Sequence, residues 1–113
     1  MRFSARHRLR ANEDFALIRK LGNRHGFAGF LIQALINEKA VTGRRIGFRV
    51  SRKVGNAVTR NHAKRCFREL FRIHQEKLPE QCDMVLVVHP TLPAMNRKRI
   101  EADFLQFCNR LAT

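Results

Sequence analysis

At 113 residues the chain is long enough for one hydrophobic core and too short for two. Hydrophobic residues make up 44% of it, nine Phe among them, which argues against disorder of the whole. Against nine acidic residues stand 23 Lys and Arg, a formal charge of +14. Such an excess repels itself in a compact state unless a polyanion neutralises it, so nucleic acid leads the candidate partners, ahead of a membrane surface or a secreted cationic role.

Three cysteines, Cys66, Cys82 and Cys108, form no CxxC pair and have no paired histidines nearby. They predict neither a disulfide framework nor a zinc site, and their apolar surroundings make them small core residues of a reducing cytosol. The start, MRFSARHRLR, carries charge without an apolar stretch behind it, and no apolar run approaches the length of a membrane span. The expectation is a cytoplasmic chain with neither signal peptide nor membrane segment, forming a single domain over residues 1–113.

Residues 1–11 read as a basic extended arm. At Asn12 a short helix starts, since Asn caps and Glu13 and Asp14 suit the positive end of the helix dipole; Phe15, Ile18 and Leu21 mark its apolar stripe and Gly22 its stop. From Phe27 to Ile36, FAGFLIQALI is β-compatible, with a short strand near His25 to Phe27 ahead of it. RRIGFRVSR then alternates Ile46, Phe48 and Val50 with Arg45, Gly47 and Arg49, a strand with one face in the core and one exposed.

Residues 56 to about 77 predict a long helix ending before Pro79. DMVLVVHP follows as a strand buried on both faces, and Asn96 caps a last helix that carries Ile100, Phe104, Phe107 and Leu111 on one side.

The long helix is the most informative segment. Ala63, Phe67, Leu70, Phe71 and His74 cluster on one side with Cys66 at the edge, while Arg60, Lys64, Arg68 and Arg72 recur every four residues on another side with Asn61 and Arg65. Arg52 and Lys53 extend this stripe upstream. Glu69 is the one acid between Ile46 and Gln75, whereas a merely solvated face interleaves both signs. The preponderance of arginine suits phosphate, which its planar fork grips with two hydrogen bonds. Gly55 and Asn56 stand at the helix N-terminus, where they read equally as a turn and cap or as part of a phosphate site built on free N–H groups.

At this point the residues carry a resemblance. SRKVGNAVTRNHAKRCFREL resembles the signature of the protein subunit of bacterial ribonuclease P: a basic pair, a hydrophobe, Gly-Asn-Ala-Val, an Arg-Asn-Arg box, then Lys-Arg and Arg-Glu. RLRANEDFALIRKLG, RIGFRVSRKVGNAV and DMVLVVHP are similar to other segments of that family, and the likeness spans roughly residues 8–110.

The resemblance implies an α+β fold of order αβββαβα, with a mixed sheet of about four strands and a left-handed βαβ crossover. It implies a protein that binds the catalytic RNA of ribonuclease P and the 5′ leader of precursor tRNA, with Mg²⁺ held mainly by RNA and substrate, no catalysis by the protein itself, no membrane and no obligatory protein partner. Carried onto this chain, Arg52, Lys53, Asn56, Arg60, Asn61, Lys64, Arg65, Arg68 and Arg72 contact the RNA, while Arg8, Phe15, Arg19, Leu31 and Gln33 line the leader cleft. Two departures stand out. His62 takes the third position of the Arg-Asn-Arg box, outside the basic stripe, and Arg19 and Gln33 stand where aromatic residues of the cleft are expected.

A small ribosomal protein would share the charge and the α+β pattern and is the competing reading. Asp14, Asp83, Ser4, Ser51 and the five histidines form no readable catalytic constellation.

Overall fold

The computed structural model describes residues 12–36 and 43–112, with side chains for 15–36 and 43–111. Helix α1 (Asn12–Leu21) leads into a hairpin of β1 (Asn23–Gly26) and β2 (Phe30–Ile36), followed by β3 (Arg44–Arg49), α2 (Ala57–His74), β4 (Cys82–Val88) and α3 (Arg97–Ala112). Short 3-10 turns precede α2 at Arg52–Val54, follow it at Gln75–Lys77, and precede α3 at Leu92–Ala94. The strands form one mixed sheet in the order β1-β2-β4-β3, with β4 antiparallel to β2 and parallel to β3. The αβββαβα order and the α+β class are those implied by the resemblance.

Local chemistry accounts for the boundaries. The Gly22 N–H closes α1 by donating to the Ile18 carbonyl at 2.7 Å. Asn56 caps α2, its Oδ1 accepting from the Thr59 N–H at 2.9 Å, and Asn96 caps α3 by accepting from the Arg99 N–H at 2.9 Å. Gly55 adopts φ 152°, where a side chain would also run into Thr59 at 2.9 Å, so only glycine makes this turn between the 3-10 segment and α2 without strain.

Two details differ from the sequence expectation. The β-compatible run from Phe27 does not begin a strand there: the Phe27 N–H donates to the Phe30 carbonyl at 2.8 Å, which makes residues 27–30 a turn and places β1 earlier, at Asn23–Gly26. Gly29 in that turn lies against the turn before α3, where an added Cβ would meet Met95 Sδ at 2.6 Å and Leu92 Cδ1 at 2.8 Å. The long helix also ends sooner, giving way to the 3-10 turn after His74.

The sheet has two unlike faces. Phe30, Ile32, Ala34, Ile46, Met84 and Leu86 point to one, where Ala63, Phe67, Leu70 and Phe71 of α2 and Ile100, Phe104 and Phe107 of α3 close over them as one buried cluster. On the other face, among the described residues, α1 packs through Ile18 and Phe15 against Leu35, Val85 and Val87. As the continuous apolar run predicts, β4 lies between β2 and β3 and is buried along nearly its whole length. Cys82 and Cys108 belong to the core and Cys66 to its edge; burial pushes their thiols up, Cys82 to about 12 and Cys108 to about 11, so they stay protonated.

Candidate nucleic-acid interface

The first basic surface is built on α2. Ala63, Phe67, Leu70 and Phe71 anchor the helix to the sheet, which turns its opposite side outward. Asn61 and Arg65 are exposed, and Lys64, Arg68 and Arg72 are half-buried along the flank. Arg52 and Lys53 are exposed in the turn that feeds the helix. Arg68 lays its guanidinium over the Phe48 ring of β3 at 5.7 Å from the centroid, a cation–π contact, and its Nε is buried.

Two expected members of the stripe sit differently. Arg60 is seven residues before Phe67, two turns away on nearly the same face, so its Nε is buried and has no hydrogen-bond partner among the described residues. Arg72 is tied to Glu69, with Nε donating to Oε2 at 3.1 Å and Nη2 to Oε1; this pair draws the Glu69 carboxyl below its usual range. Among the described residues, no carboxylate pairs with Arg52, Lys53, Arg60, Lys64 or Arg65. His62 is exposed on the flank facing α3, away from the stripe, as the wheel predicts. Asn56 spends its side-chain oxygen on the cap of α2.

The second surface is the face of the sheet that α1 leaves partly open. Register places Gly26, Leu31, Val87 and Arg49 in one row across the four strands, and Arg24, Gln33, Val85 and Gly47 in the next. Leu31 and Val87 are half-buried, Gln33 is buried, and Arg24 and Arg49 are exposed. Phe15 stands at the edge of this trough, half-buried, with the Arg49 guanidinium 5.5 Å from its ring centroid. Arg19 is exposed on α1, and Arg8 lies outside the described residues. The structure thus brings Phe15 and Leu31 to one trough with Gln33 in its floor.

Arg49 and Arg24 were not singled out from sequence. The alternation of β3 already set Arg49 on the exposed face, but only the register shows that this face is shared with Phe15. At the far end of β3, Arg45 clasps the buried Asp83 with two hydrogen bonds of 2.8 Å. Asp83 is therefore a structural partner of arginine.

No three of His, Cys, Asp and Glu come together to hold a metal among the described residues. Asp83, Glu69, Asp103 and Glu101 are engaged with Arg45, Arg72, Arg99 and His74. The described donors do not fit an Mg²⁺ site. No helix among the described residues is long and apolar enough to cross a membrane.

The chain can now be set beside known proteins. The family model described as Ribonuclease P matches residues 3–112. The ribonuclease P protein component of Desulfovibrio desulfuricans is 36% identical over 107 residues, covering 93% of this chain and 82% of that protein. That of Alkaliphilus oremlandii is 35% identical, covering 93% and 90%. Among solved structures, the RNase P protein of Staphylococcus aureus superposes with a TM-score of 0.79 at 29% identity, covering 95% of each chain. The RNase P protein from Thermotoga maritima superposes with a TM-score of 0.80 at 30% identity, covering 91% of this chain and 96% of that one. With a fold, a signature helix and a full-length family match in agreement, the chain belongs to the family of ribonuclease P protein components.

Proposed function

We propose that this chain is the RNA-binding subunit of a ribonuclease P, and that it assists a catalytic RNA in removing the 5′ leader of precursor tRNA. Family membership supports association with ribonuclease P RNA. The observation that carries the binding surface is the set of cations with no carboxylate partner among the described residues, Arg52, Lys53, Arg60, Lys64 and Arg65, at and along the start of α2. Phosphates of the RNA would fill those vacant partnerships, with release of condensed counterions as the driving force.

The trough of Phe15, Leu31, Val87 and Arg49 receives the leader. Phe15 and the guanidinium above it offer a stacking surface, and the leader's phosphates meet Arg49, Arg24 and Arg19. The chemistry belongs to the RNA, with Mg²⁺ held by RNA and substrate. The protein contributes charge neutralisation and substrate positioning in the cytoplasm, and needs no membrane and no further protein.

The test is reconstitution. Purified protein added to a bacterial ribonuclease P RNA at low Mg²⁺ should restore cleavage of precursor tRNA, and the protein alone, freed of RNA by nuclease, should cleave none at any Mg²⁺ concentration. Failure to stimulate would return the chain to the class of general RNA-binding proteins, such as the ribosomal ones. Cleavage by the RNA-free protein would refute the division of labour.

A further inference from the structure

The flank of α2 beside the basic stripe, on the side of α3, has its own topography. Val58, His62 and Cys66 face Leu92, Pro93 and Met95 of the turn before α3 across an open apolar groove of about 350 Å³. Val58 is 68% exposed there, so its side chain is open to a partner. The groove adjoins a second depression of about 260 Å³ lined by His62, Arg65, Cys66, Glu69 and Arg97, so His62 and Cys66 belong to both.

The second depression is cationic in effect. Arg65 has no carboxylate partner among the described residues, Arg97 sits at the start of α3, and the carboxylate of Glu69 is held by Arg72. Burial keeps Cys66 a neutral thiol, a small apolar wall for both hollows. An apolar slot that opens into a basic hollow matches the two ends of a nucleotide, a flat base and a phosphate. The adjoining stripe on the same helix is the surface assigned above to RNA.

We infer that this groove seats one unpaired nucleotide of the catalytic RNA: its base enters between Val58 and the Leu92–Met95 turn and stacks on the His62 imidazole, and its phosphate lies between Arg65 and Arg97. On this account the histidine in place of the last arginine of the box is a stacking residue. Imidazole offers an aromatic plane for an unstacked base, and unpaired nucleotides are where proteins read RNA most readily. The inference rests on the proposed RNA-binding function and assigns it a defined contact.

The experiment measures affinity of the full-length protein for a bacterial ribonuclease P RNA as salt is varied, together with chemical probing of the bound RNA. His62 is exposed, so its replacement leaves the core untouched. His62→Ala should weaken binding by about 5- to 150-fold, the range of one lost base stack, with the log–log salt slope unchanged. His62→Phe should bind within about threefold of the wild type, since the ring persists without the imidazole nitrogens. One unpaired nucleotide protected by wild type and His62→Phe should become reactive with His62→Ala.

Wild-type affinity for His62→Ala would overturn the inference. So would equal weakening of both variants with a slope reduced by about one, the mark of a lost phosphate contact. If the wild-type protein itself fails to bind the RNA, it is the proposed function that falls.

Discussion

Two groups of arginine in this chain meet opposite fates. At the start of β3 the cations are absorbed by the fold: Arg45 clasps Asp83, and Arg44 donates from Nε and Nη2 to the Leu78 carbonyl at 3.2 and 3.1 Å. At Arg52 and Lys53 in the turn, and at Lys64 and Arg65 on the outer side of α2, charge of the same sign finds no carboxylate among the described residues. A net charge of +14 does not by itself say which cations are free to bind. The difference teaches that function is to be sought where the fold leaves charge unspent, and that removing an arginine from each group should fail in different ways.

The largest effect belongs to the absorbed group. Asp83→Ala would strand the Arg45 guanidinium against the sheet, and loss of one partner of such a buried pair costs about 3–5 kcal/mol. Chemical denaturation should show this loss, while whatever fraction remains folded should bind RNA with the wild-type salt slope. A reduced slope would mean that Arg45 and Asp83 also belong to the interface.

The trough gives the next effect. Phe15→Ala in the holoenzyme should weaken binding of leader-bearing precursor tRNA by about 1–3 kcal/mol, the value of one aromatic stack, and leave mature tRNA unaffected. Because Phe15 is half-buried and packs at the rim of the smaller cluster, its melting temperature should fall only modestly. Equal weakening for both RNAs with a large fall in melting temperature would make it an ordinary core residue.

A smaller effect separates structure from binding by pH. Burial, and then the nearby charge of Arg110, hold the His25 imidazole below its ordinary value of 6.5, and its ring packs edge-on against Phe107 of α3 at 5.3 Å. The folded protein therefore holds this histidine neutral more firmly than the unfolded chain does. Its contribution to stability is complete above pH 6.5 and is lost as pH falls through the depressed value. Unfolding measured between pH 8 and 5 should show the decline, and His25→Gln should flatten it.

Much of this was legible because it is periodic or local. The apolar run of β4, the face of α2 and the caps at Asn56 and Asn96 each depend on neighbours in sequence, and the structure has them all; the alternation of β3 holds in part, because on its second face Gly47 is buried and Arg45 is half-buried against Asp83, which leaves Arg49 exposed. The signature around Gly55 supplied the family. What escaped the sequence depends on distant partners. Phe27 looks like a strand residue, yet Gly29 must let the turn approach Leu92 and Met95, a contact over 60 residues away in sequence. Arg60 falls into the stripe by its spacing of four and onto the packed face by its distance from Phe67, and only packing decides. Arg49 meets Phe15 through strand register, and the groove beside His62 exists only because the turn before α3 docks on α2.

The central claim is that the unspent charge of α2 binds RNA phosphates. Its most direct measurement is the affinity of the protein for ribonuclease P RNA across a salt series at fixed Mg²⁺, comparing the wild type with the triple variant Arg60→Ala, Lys64→Ala, Arg65→Ala. The account predicts weaker binding and a log–log slope flatter by roughly one unit for each phosphate contact removed, with the fold intact by circular dichroism. An unchanged slope in a folded triple variant would contradict it and reduce these charges to an aid to solubility.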